Sequence, residues 1–145
     1  MKPLRILSPI HKIKRQIEMY LEARVKALDC SLIEGHIVGY LSSYAPCPVA
    51  ELVRVFGIKR STLTSLLDRL ESRELISRRV NPADRRSWLV EILPTGKKLS
   101  RRLRKIFDEF EKNVLSEISL KDLAGFDNLI TAIAKITDVQ VCKSR

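Results

Sequence analysis

The chain has 145 residues, which is long enough for one domain with its own hydrophobic core. Hydrophobic residues make up 45% and charged residues 30% of it, as in an ordinary globular protein. The formal net charge of +10 predicts a polyanionic partner, either nucleic acid or an anionic membrane surface. The sequence has neither an apolar run long enough for a membrane span nor the apolar core of a signal peptide, so we expect a cytoplasmic protein.

Cysteine and histidine are sparse and scattered. The three cysteines, Cys30, Cys47 and Cys142, form no C-x-x-C spacing, and their odd number argues against a closed disulfide framework. The two histidines, His11 and His36, lie far apart in the sequence. We therefore expect reduced thiols and neither a metal site nor a cofactor.

Two helical patterns open the chain after an extended arm of residues 1–8. The first runs from Pro9 to about Asp29, with apolar residues repeating on one face and a proline suited to a first turn. The second, Leu32 to about Tyr44, is preceded by Ser31. Because Glu34 follows that serine by three residues, the pair predicts a capping box at the helix start.

Prolines then interrupt the chain at Pro46 and Pro48. A short amphipathic stretch follows from Val49 to Phe56, and Gly57 suits the left-handed residue that ends a helix. A second helix is predicted from Lys59 to Glu71, where leucines share one stripe of a 3.6-residue period. Together these elements predict a helix-turn-helix.

The outer face of this second helix is unusual. A face that only met water would usually carry Glu–Lys pairs, whereas this one carries short hydroxyl side chains. Such side chains let a helix lie deep in a groove and can bond base edges or phosphates. The alternative is an ordinary amphipathic helix with a polar face. The candidate groove-facing residues are Arg60, Ser61, Thr62, Thr64 and Ser65.

A hairpin follows the helix. Residues 75–80 and 87–93 are rich in β-branched and apolar residues, and the turn-forming segment 81–86 lies between them. The predicted tip holds Arg85 and Arg86, and arginine suits a narrow minor groove. A structural hairpin with a solvated basic tip is the alternative. The fold class expected is mainly α, with about six helices and a small β-hairpin wing beside the helix-turn-helix.

The runs STLTSLLDRLE and NPADRRSWLVEILPTG resemble the MarR family of bacterial transcription regulators, over about Val49 to Leu99. That family joins a recognition helix ending in D-R-L-E to a wing of the form D-x-R, closed by L-T-x-x-G. The chain departs from this pattern twice. Glu74 stands where the family usually has glycine, which predicts a different helix cap, and Pro94 is inserted between Leu93 and Thr95, which predicts a shifted helix start.

Two long amphipathic patterns close the chain. One runs from after Gly96 to about Glu117, and the next is capped by Ser119 with Asp122. Their apolar stripes exceed what a small winged domain can bury, so we expect a two-fold homodimer, with folding back onto the same subunit as the alternative. The domain predicted over residues 1–145 then divides into a helical dimerisation region (residues 1–30 and 95–145) and a winged helix-turn-helix (residues 31–94).

The resemblance implies a homodimeric, sequence-specific repressor of the MarR type that binds a pseudo-palindromic operator in double-stranded DNA. It places Arg86 at the wing arginine, with Arg85 near the DNA backbone, while Arg69 would meet a phosphate or pair with an acid. Asp84 and Asp68 would repel phosphates, so we expect them to orient arginines and support the wing.

The resemblance also implies release by a small aromatic or phenolic effector, bound between the dimer helices and the DNA-binding part. Candidate pocket residues are Tyr20, His36, Tyr40 and Tyr44. Some relatives sense peroxide through a cysteine, and Cys30 or Cys47 would be the thiol here, although neither stands at the relatives' position.

Three alternatives remain open. An enzyme such as a basic nuclease would need a carboxylate cluster or a glycine-rich phosphate loop, neither of which the sequence contains. An architectural or RNA-binding winged-helix protein would lack a defined operator. A membrane-surface role would occupy the apolar helix faces that dimerisation needs.

Overall fold

The computed structural model describes residues 2–138, which form six α-helices and a three-stranded antiparallel sheet. The mainly α fold with a small wing is therefore confirmed. In chain order the elements are α1 (Leu7–Val25), α2 (Leu32–Tyr44), β1 (Cys47–Pro48), α3 (Val49–Phe56), α4 (Arg60–Ser72), β2 (Ile76–Asn81), β3 (Asp84–Ile92), α5 (Pro94–Ser116) and α6 (Leu120–Thr137).

The predicted caps set the helix boundaries at several points. The Oγ of Ser31 accepts from the backbone N–H of Glu34 at 3.3 Å, and the Glu34 carboxylate accepts from the Ser31 N–H at 2.8 Å. Ser119 and Asp122 form the same box at the start of α6. Helix α1 begins at Leu7, two residues before Pro9, and so shortens the predicted extended arm. It ends at Val25, where a short 3-10 turn takes over.

The sheet contains a strand that the sequence did not predict. Strand β1 has only two residues, and it pairs with Val90 and Leu89 of β3. The strand order is β1-β3-β2, so β3 is central. A two-residue strand next to two prolines carries no alternation to recognise, and only its tertiary partner defines it.

The core lies between α2, the helix-turn-helix and the base of the sheet. Helix α2 crosses its centre, with α1 and α5 packed against it. The apolar stripe of α5 is buried only at its start, since Leu99 and Leu103 are buried whereas Val114 is 44% exposed. The most deeply buried side chains include Ile37, Val38, Leu41, Leu52, Leu63, Leu67, Leu70, Val90 and Leu103.

Helix α4 ends in a left-handed turn, contrary to our expectation of a different cap at Glu74. That residue has φ 56°, its N–H donates to the carbonyl of Glu71 at 2.9 Å, and the N–H of Leu75 donates to the carbonyl of Leu70 at 3.0 Å. These are the two bonds of a Schellman motif. The two leucines of the motif, Leu70 and Leu75, are both buried, so this cap forms although the chain has no glycine there.

The base of the hairpin is closed by contacts to this same turn. The N–H of Leu93 donates to the Leu75 carbonyl at 3.0 Å, and the Thr95 hydroxyl donates to the Glu74 carbonyl. Helix α5 starts at Pro94, about three residues earlier than the pattern suggested, because proline suits the first helical position. A Cβ on Gly96 would lie 2.1 Å from the Leu75 carbonyl oxygen, so the backbones meet too closely for any side chain.

Gly96→Ala is expected to lower the free energy of unfolding by at least ~2 kcal/mol, because the new methyl group must push two backbone segments apart. Gly39→Ala is the matched control. A Cβ there meets no atom within 4 Å, so the helix gains up to ~1 kcal/mol. Urea unfolding at fixed protein concentration measures both changes, and equal midpoints for the two variants would contradict the close approach.

Candidate DNA-binding surface

Helix α4 presents its hydroxyl face to solvent because its leucines hold the opposite face in the core. Leu63, Leu67 and Leu70 are at most 1% exposed. The five candidate groove-facing residues of this helix, Arg60, Ser61, Thr62, Thr64 and Ser65, are all exposed.

Two hydroxyls of this face already donate to the helix backbone. The Thr64 Oγ1 donates to the Arg60 carbonyl at 2.9 Å, and the Ser65 Oγ donates to the Ser61 carbonyl at 3.2 Å. Because their protons are used, both oxygens face outward as hydrogen-bond acceptors. This state suits the amino groups that adenine and cytosine expose in the major groove.

Arg69 is engaged with an acid instead of standing free. Its Nη2 lies 3.1 Å from the Oε1 of Glu34, whose side chain is completely buried. Arg69 and Glu34 therefore form an ion pair but no aligned hydrogen bond, since the Oε1 of Glu34 has no hydrogen-bond partner among the described residues. Of the two roles expected for Arg69, the structure therefore shows the pairing with an acid.

A guanidinium that the sequence reading missed joins the recognition helix to the wing. Arg78 on β2 donates to Glu71 through Nε at 3.0 Å and to Asp68 through Nη2 at 2.6 Å. Its backbone N–H donates to Glu71 at 2.9 Å. The hydrogen bond that Arg78 donates to Glu71 raises the pKa of Arg78 above its already high value. Asp68 therefore supports the wing, but through Arg78 and not through Arg85 or Arg86.

The wing tip is tighter than predicted. The turn comprises only the two residues between Asn81 and Asp84, and both arginines belong to β3 instead of the loop. The register jumps there, so residues 85–87 form a bulge opposite β2. Both arginine side chains are exposed, and neither forms an ion pair with any residue from 2 to 138.

Side chains hold this bulge in place. The Asp84 Oδ1 accepts from the Arg86 N–H at 3.0 Å, so Asp84 fixes the backbone that carries the arginine. The Asn81 Nδ2 donates to the Ser87 hydroxyl at 3.0 Å, and that hydroxyl donates to the Asp84 carbonyl at 3.0 Å. The arginines are therefore presented from an ordered backbone.

A second feature is an aromatic crevice of about 580 Å³ between α2, the end of α3 and the first half of α5. Of the four pocket candidates, only His36 and Tyr40 line it. Tyr20 packs against Phe110 outside it, and Tyr44 stacks on Tyr40 without reaching the crevice wall. Tyr20 and Tyr44 therefore lie apart from this crevice, because α1 turns Tyr20 toward the far half of α5.

The crevice walls combine aromatic rings with cationic side chains. His36 stacks on Phe107 with ring centroids 5.6 Å apart, and burial lowers the pKa of His36 while Glu18 opposes the shift. The imidazole is therefore mainly neutral at pH 7, and the positive charge at this site comes from Arg101 and Arg104. Of these two, Arg104 is bonded to Asp108 at 2.6 Å.

The two described cysteines have unreactive surroundings. Burial raises the pKa of Cys30 to about 11, helped by the negative charge of Glu34. Burial likewise raises the pKa of Cys47 to about 12, helped by the charge of Glu51. Thiolate is the reactive form, so neither position favours reaction with oxidants. Cys142 lies outside the described residues.

Two further kinds of feature are absent from residues 2–138. No helix there combines the length and hydropathy that crossing a bilayer requires. Within the same residues, no group of three or more His, Cys, Asp or Glu side chains is arranged to hold a metal ion.

Comparison with known proteins identifies relatives along almost the whole chain. Residues 31–88 match the profile of the MarR family. The chain is 25% identical over 130 residues to an uncharacterized HTH-type transcriptional regulator, YsmB, of Bacillus subtilis, a match covering 87% of this chain and 89% of the relative. It is 27% identical over 138 residues to the HTH-type transcriptional regulator PecS of Dickeya dadantii, covering 92% and 82%.

Solved structures share the fold. A MepR–DNA complex from S. aureus superposes with a TM-score of 0.83 at 21% identity, covering 92% of this chain and 98% of that one. A mutant MarR from E. coli complexed with operator DNA superposes with a TM-score of 0.78 at 20% identity, covering 87% of this chain and 91% of that one. The motifs, the fold and these relatives agree: residues 31–88 match the MarR family, and the chain is similar over most of its length to HTH-type transcriptional regulators.

Proposed function

We propose that this protein is a cytoplasmic, homodimeric repressor that binds one pseudo-palindromic operator in double-stranded DNA. The observation that carries the proposal is the Arg78 bridge, which holds the exposed hydroxyl face of α4 and the two unpaired wing arginines in one rigid unit. Two such units, related by two-fold symmetry, would enter successive major grooves roughly 34 Å apart. The DNA complexes of MepR and MarR support this use of the fold.

The contacts divide by type. Ser61, Thr62, Thr64 and Ser65 face base edges, with Arg60 at the start of the helix. Arg86 enters the minor groove from the wing, and Arg85 meets the backbone. We assign Arg69 to support of the recognition helix, because its charge is already satisfied by Glu34.

Helix α5 adds positive charge beside the wing. Its first turns carry exposed basic residues directly after the strand that bears the wing arginines, and this end can approach the flanking phosphates. Each phosphate neutralised would add nearly one unit to the salt dependence of binding. The basic residues in this group are Lys97, Lys98, Arg101, Arg102, Arg104 and Lys105.

Selection of bound fragments from genomic DNA should yield one palindromic sequence that binds at least about a thousandfold more tightly than random duplex at physiological salt. On that duplex, Arg86→Ala should weaken binding by at least about tenfold, and it should reduce the slope of log K against log salt by about two units, because each dimer loses two phosphate-region charges. Fluorescence anisotropy of labelled DNA measures both quantities.

The matched control is Arg79→Ala. Arg79 lies on the same hairpin, but it is paired with Glu91 at 2.7 Å, so its loss should leave the slope nearly unchanged. Equal slopes for the Arg86 and Arg79 variants would exclude the wing from the interface. Equal binding of selected and random duplexes would favour the architectural or RNA-binding alternative.

The dimer is proposed from helix α6. No described residue of α6 is buried within the subunit, although the helix carries a row of large apolar side chains. An isolated helix with such a stripe is only marginally stable in water, so a second copy must cover it. The exposed apolar residues of this row are Leu120, Phe126, Ile130, Ile133 and Ile136.

Sedimentation velocity should give a mass near twice the chain mass of 16.6 kDa. Ile130→Glu should shift the protein to monomer, because an unpaired carboxylate would be buried in the interface. Asn128→Glu is the control, since it adds the same charge to an exposed polar position of the same helix. A wild-type monomer at micromolar concentration would contradict the dimer, and an Ile130→Glu variant that stays dimeric would remove this face of α6 from it.

We also propose that a small aromatic acid releases the operator by binding in the crevice between α2 and α5. The volume of about 580 Å³ is in the range of small-molecule sites, and rings of His36, Tyr40 and Phe107 line it next to Arg101. Because the crevice separates the long helix α5 from the helix-turn-helix, an occupant can change the spacing of the two recognition helices. Such a ligand would act by favouring a spacing that the operator does not accept.

Benzoic and hydroxybenzoic acids should dissociate the operator complex in a titration followed by anisotropy. Arg101→Gln should raise the half-effective concentration of the acid by about tenfold, because a charge-assisted bond to the carboxylate is lost. Arg102→Gln is the control, since its neighbouring side chain does not line the crevice. A similar response in both variants would remove this crevice from effector binding.

The remaining alternatives receive less support. Both described thiols have raised pKa values, which disfavours a peroxide switch at Cys30 or Cys47. The curated relatives are transcriptional regulators, in agreement with a role that is not enzymatic.

A further inference from the structure

Trp88 is the only tryptophan of the chain, and its side chain is half exposed. It lies on β3 opposite Val80 of β2, and the two side chains are 49% and 45% exposed. Because side chains alternate along a strand, Trp88 is on the same face of the hairpin as Val90, which is completely buried. The face of the hairpin that covers the core therefore continues outward as an exposed apolar pair.

Of this pair, Trp88 lines a cleft of about 480 Å³ between the hairpin and helix α4. The opposite wall includes Arg60 and Thr64 from the first turns of the recognition helix, while Arg78 and Glu71 form the floor. Arg78 is shared by two carboxylates, Glu71 and Asp68, so the free cation of the cleft is Arg60, which forms no ion pair within residues 2–138.

Trp88 also has a hydrogen-bond donor, its indole N–H, that the described residues leave unused. No residue from 2 to 138 accepts a hydrogen bond from its indole N–H, although half of the side chain is covered. An indole N–H is a donor only, so it can bind an anion or a carbonyl and has no use for a cation. Its ring offers an apolar surface beside this donor.

We propose that this cleft holds the single sugar-phosphate strand that passes between the recognition helix and the wing, with Trp88 as its positioning residue. The proposal rests on the DNA-binding function proposed above. A duplex that places α4 in its major groove and the wing in the adjacent minor groove must pass the strand separating those grooves between the two elements. The deoxyribose then packs on the indole ring, and one phosphate receives bonds from the indole N–H and from Arg60.

The side chains that line the cleft suit both the sugars and the phosphates of such a strand. A sugar-phosphate strand alternates apolar sugar faces with single negative charges, and the cleft alternates an aromatic surface with one free cation. Most contacts of DNA-binding proteins go to this backbone, where they set register and carry no base information. Trp88 would thus fix how far the wing reaches along the minor groove, and so the position of Arg86.

The first measurement uses the intrinsic fluorescence of Trp88, which reports on this cleft alone because the chain has no other tryptophan. Binding of the selected duplex should shift the emission to shorter wavelength and reduce quenching by acrylamide, a neutral quencher that DNA does not repel. Unchanged emission at saturating duplex would overturn the proposal.

The second measurement locates the phosphate. Trp88→Phe keeps an aromatic ring but removes the N–H, and it should weaken operator binding about tenfold for each subunit. Duplexes with one neutral methylphosphonate per half-site are then tested in turn. At one position, Trp88→Phe should cause little further loss of affinity for the methylphosphonate duplex, because both changes remove the same hydrogen bond. At every other position, the losses of affinity from the two changes should multiply.

Several results would contradict the proposal without touching the function on which it rests. One is that Trp88→Phe binds the operator with wild-type affinity, and another is that the two losses of affinity multiply at every methylphosphonate position. A third is a loss of affinity in Trp88→Phe that depends on base identity instead of phosphate charge, which would indicate stacking on a base. The preference of wild-type protein for the selected duplex is measured first. Failure at that step would reject the proposed function itself.

Discussion

The ion pairs of Arg78 with Asp68 and Glu71 are the interaction on which the DNA-binding surface depends. A two-stranded hairpin is only marginally stable alone, and this one projects beyond the core. Its position relative to α4 is fixed at two levels: the Schellman turn and Gly96 hold the base, and the guanidinium holds the middle. Because Arg78 is only 23% exposed, solvent screens these pairs less than it screens an ordinary surface pair.

A second charged junction connects the recognition helix to the start of α2. The Glu34 carboxylate is completely buried, and it would be costly to keep there without Ser31 on one oxygen and Arg69 near the other. Asp29, in the turn after α1, lies 3.7 Å from Arg73 at the end of the same helix. The turn after the first helix thus lies against the end of α4 through a pair of opposite charges.

Two openings with different chemistry lie on either side of the helix-turn-helix. The cleft between α4 and the hairpin has one free cation beside one aromatic ring, which suits a strand of backbone. The crevice between α2 and α5 has several aromatic rings around its arginines, which suits a small aromatic acid. They share no lining residue, but helix α3 contributes Val49 to the cleft and Val55 and Phe56 to the crevice, so this helix connects the two openings.

The sequence alone determined the features that depend on neighbours in the chain. The capping boxes at Ser31 and Ser119, the stripes of the helices and the presence of a hairpin follow from residues three to ten positions apart, and the motif resemblance added the fold and the class of function. Tertiary structure decided what depends on distant partners. These features are the pairing of β1, the partner of Arg78, the separation of Tyr20 from His36 and the position of Trp88 beside α4, because each is set by contacts that no local pattern encodes.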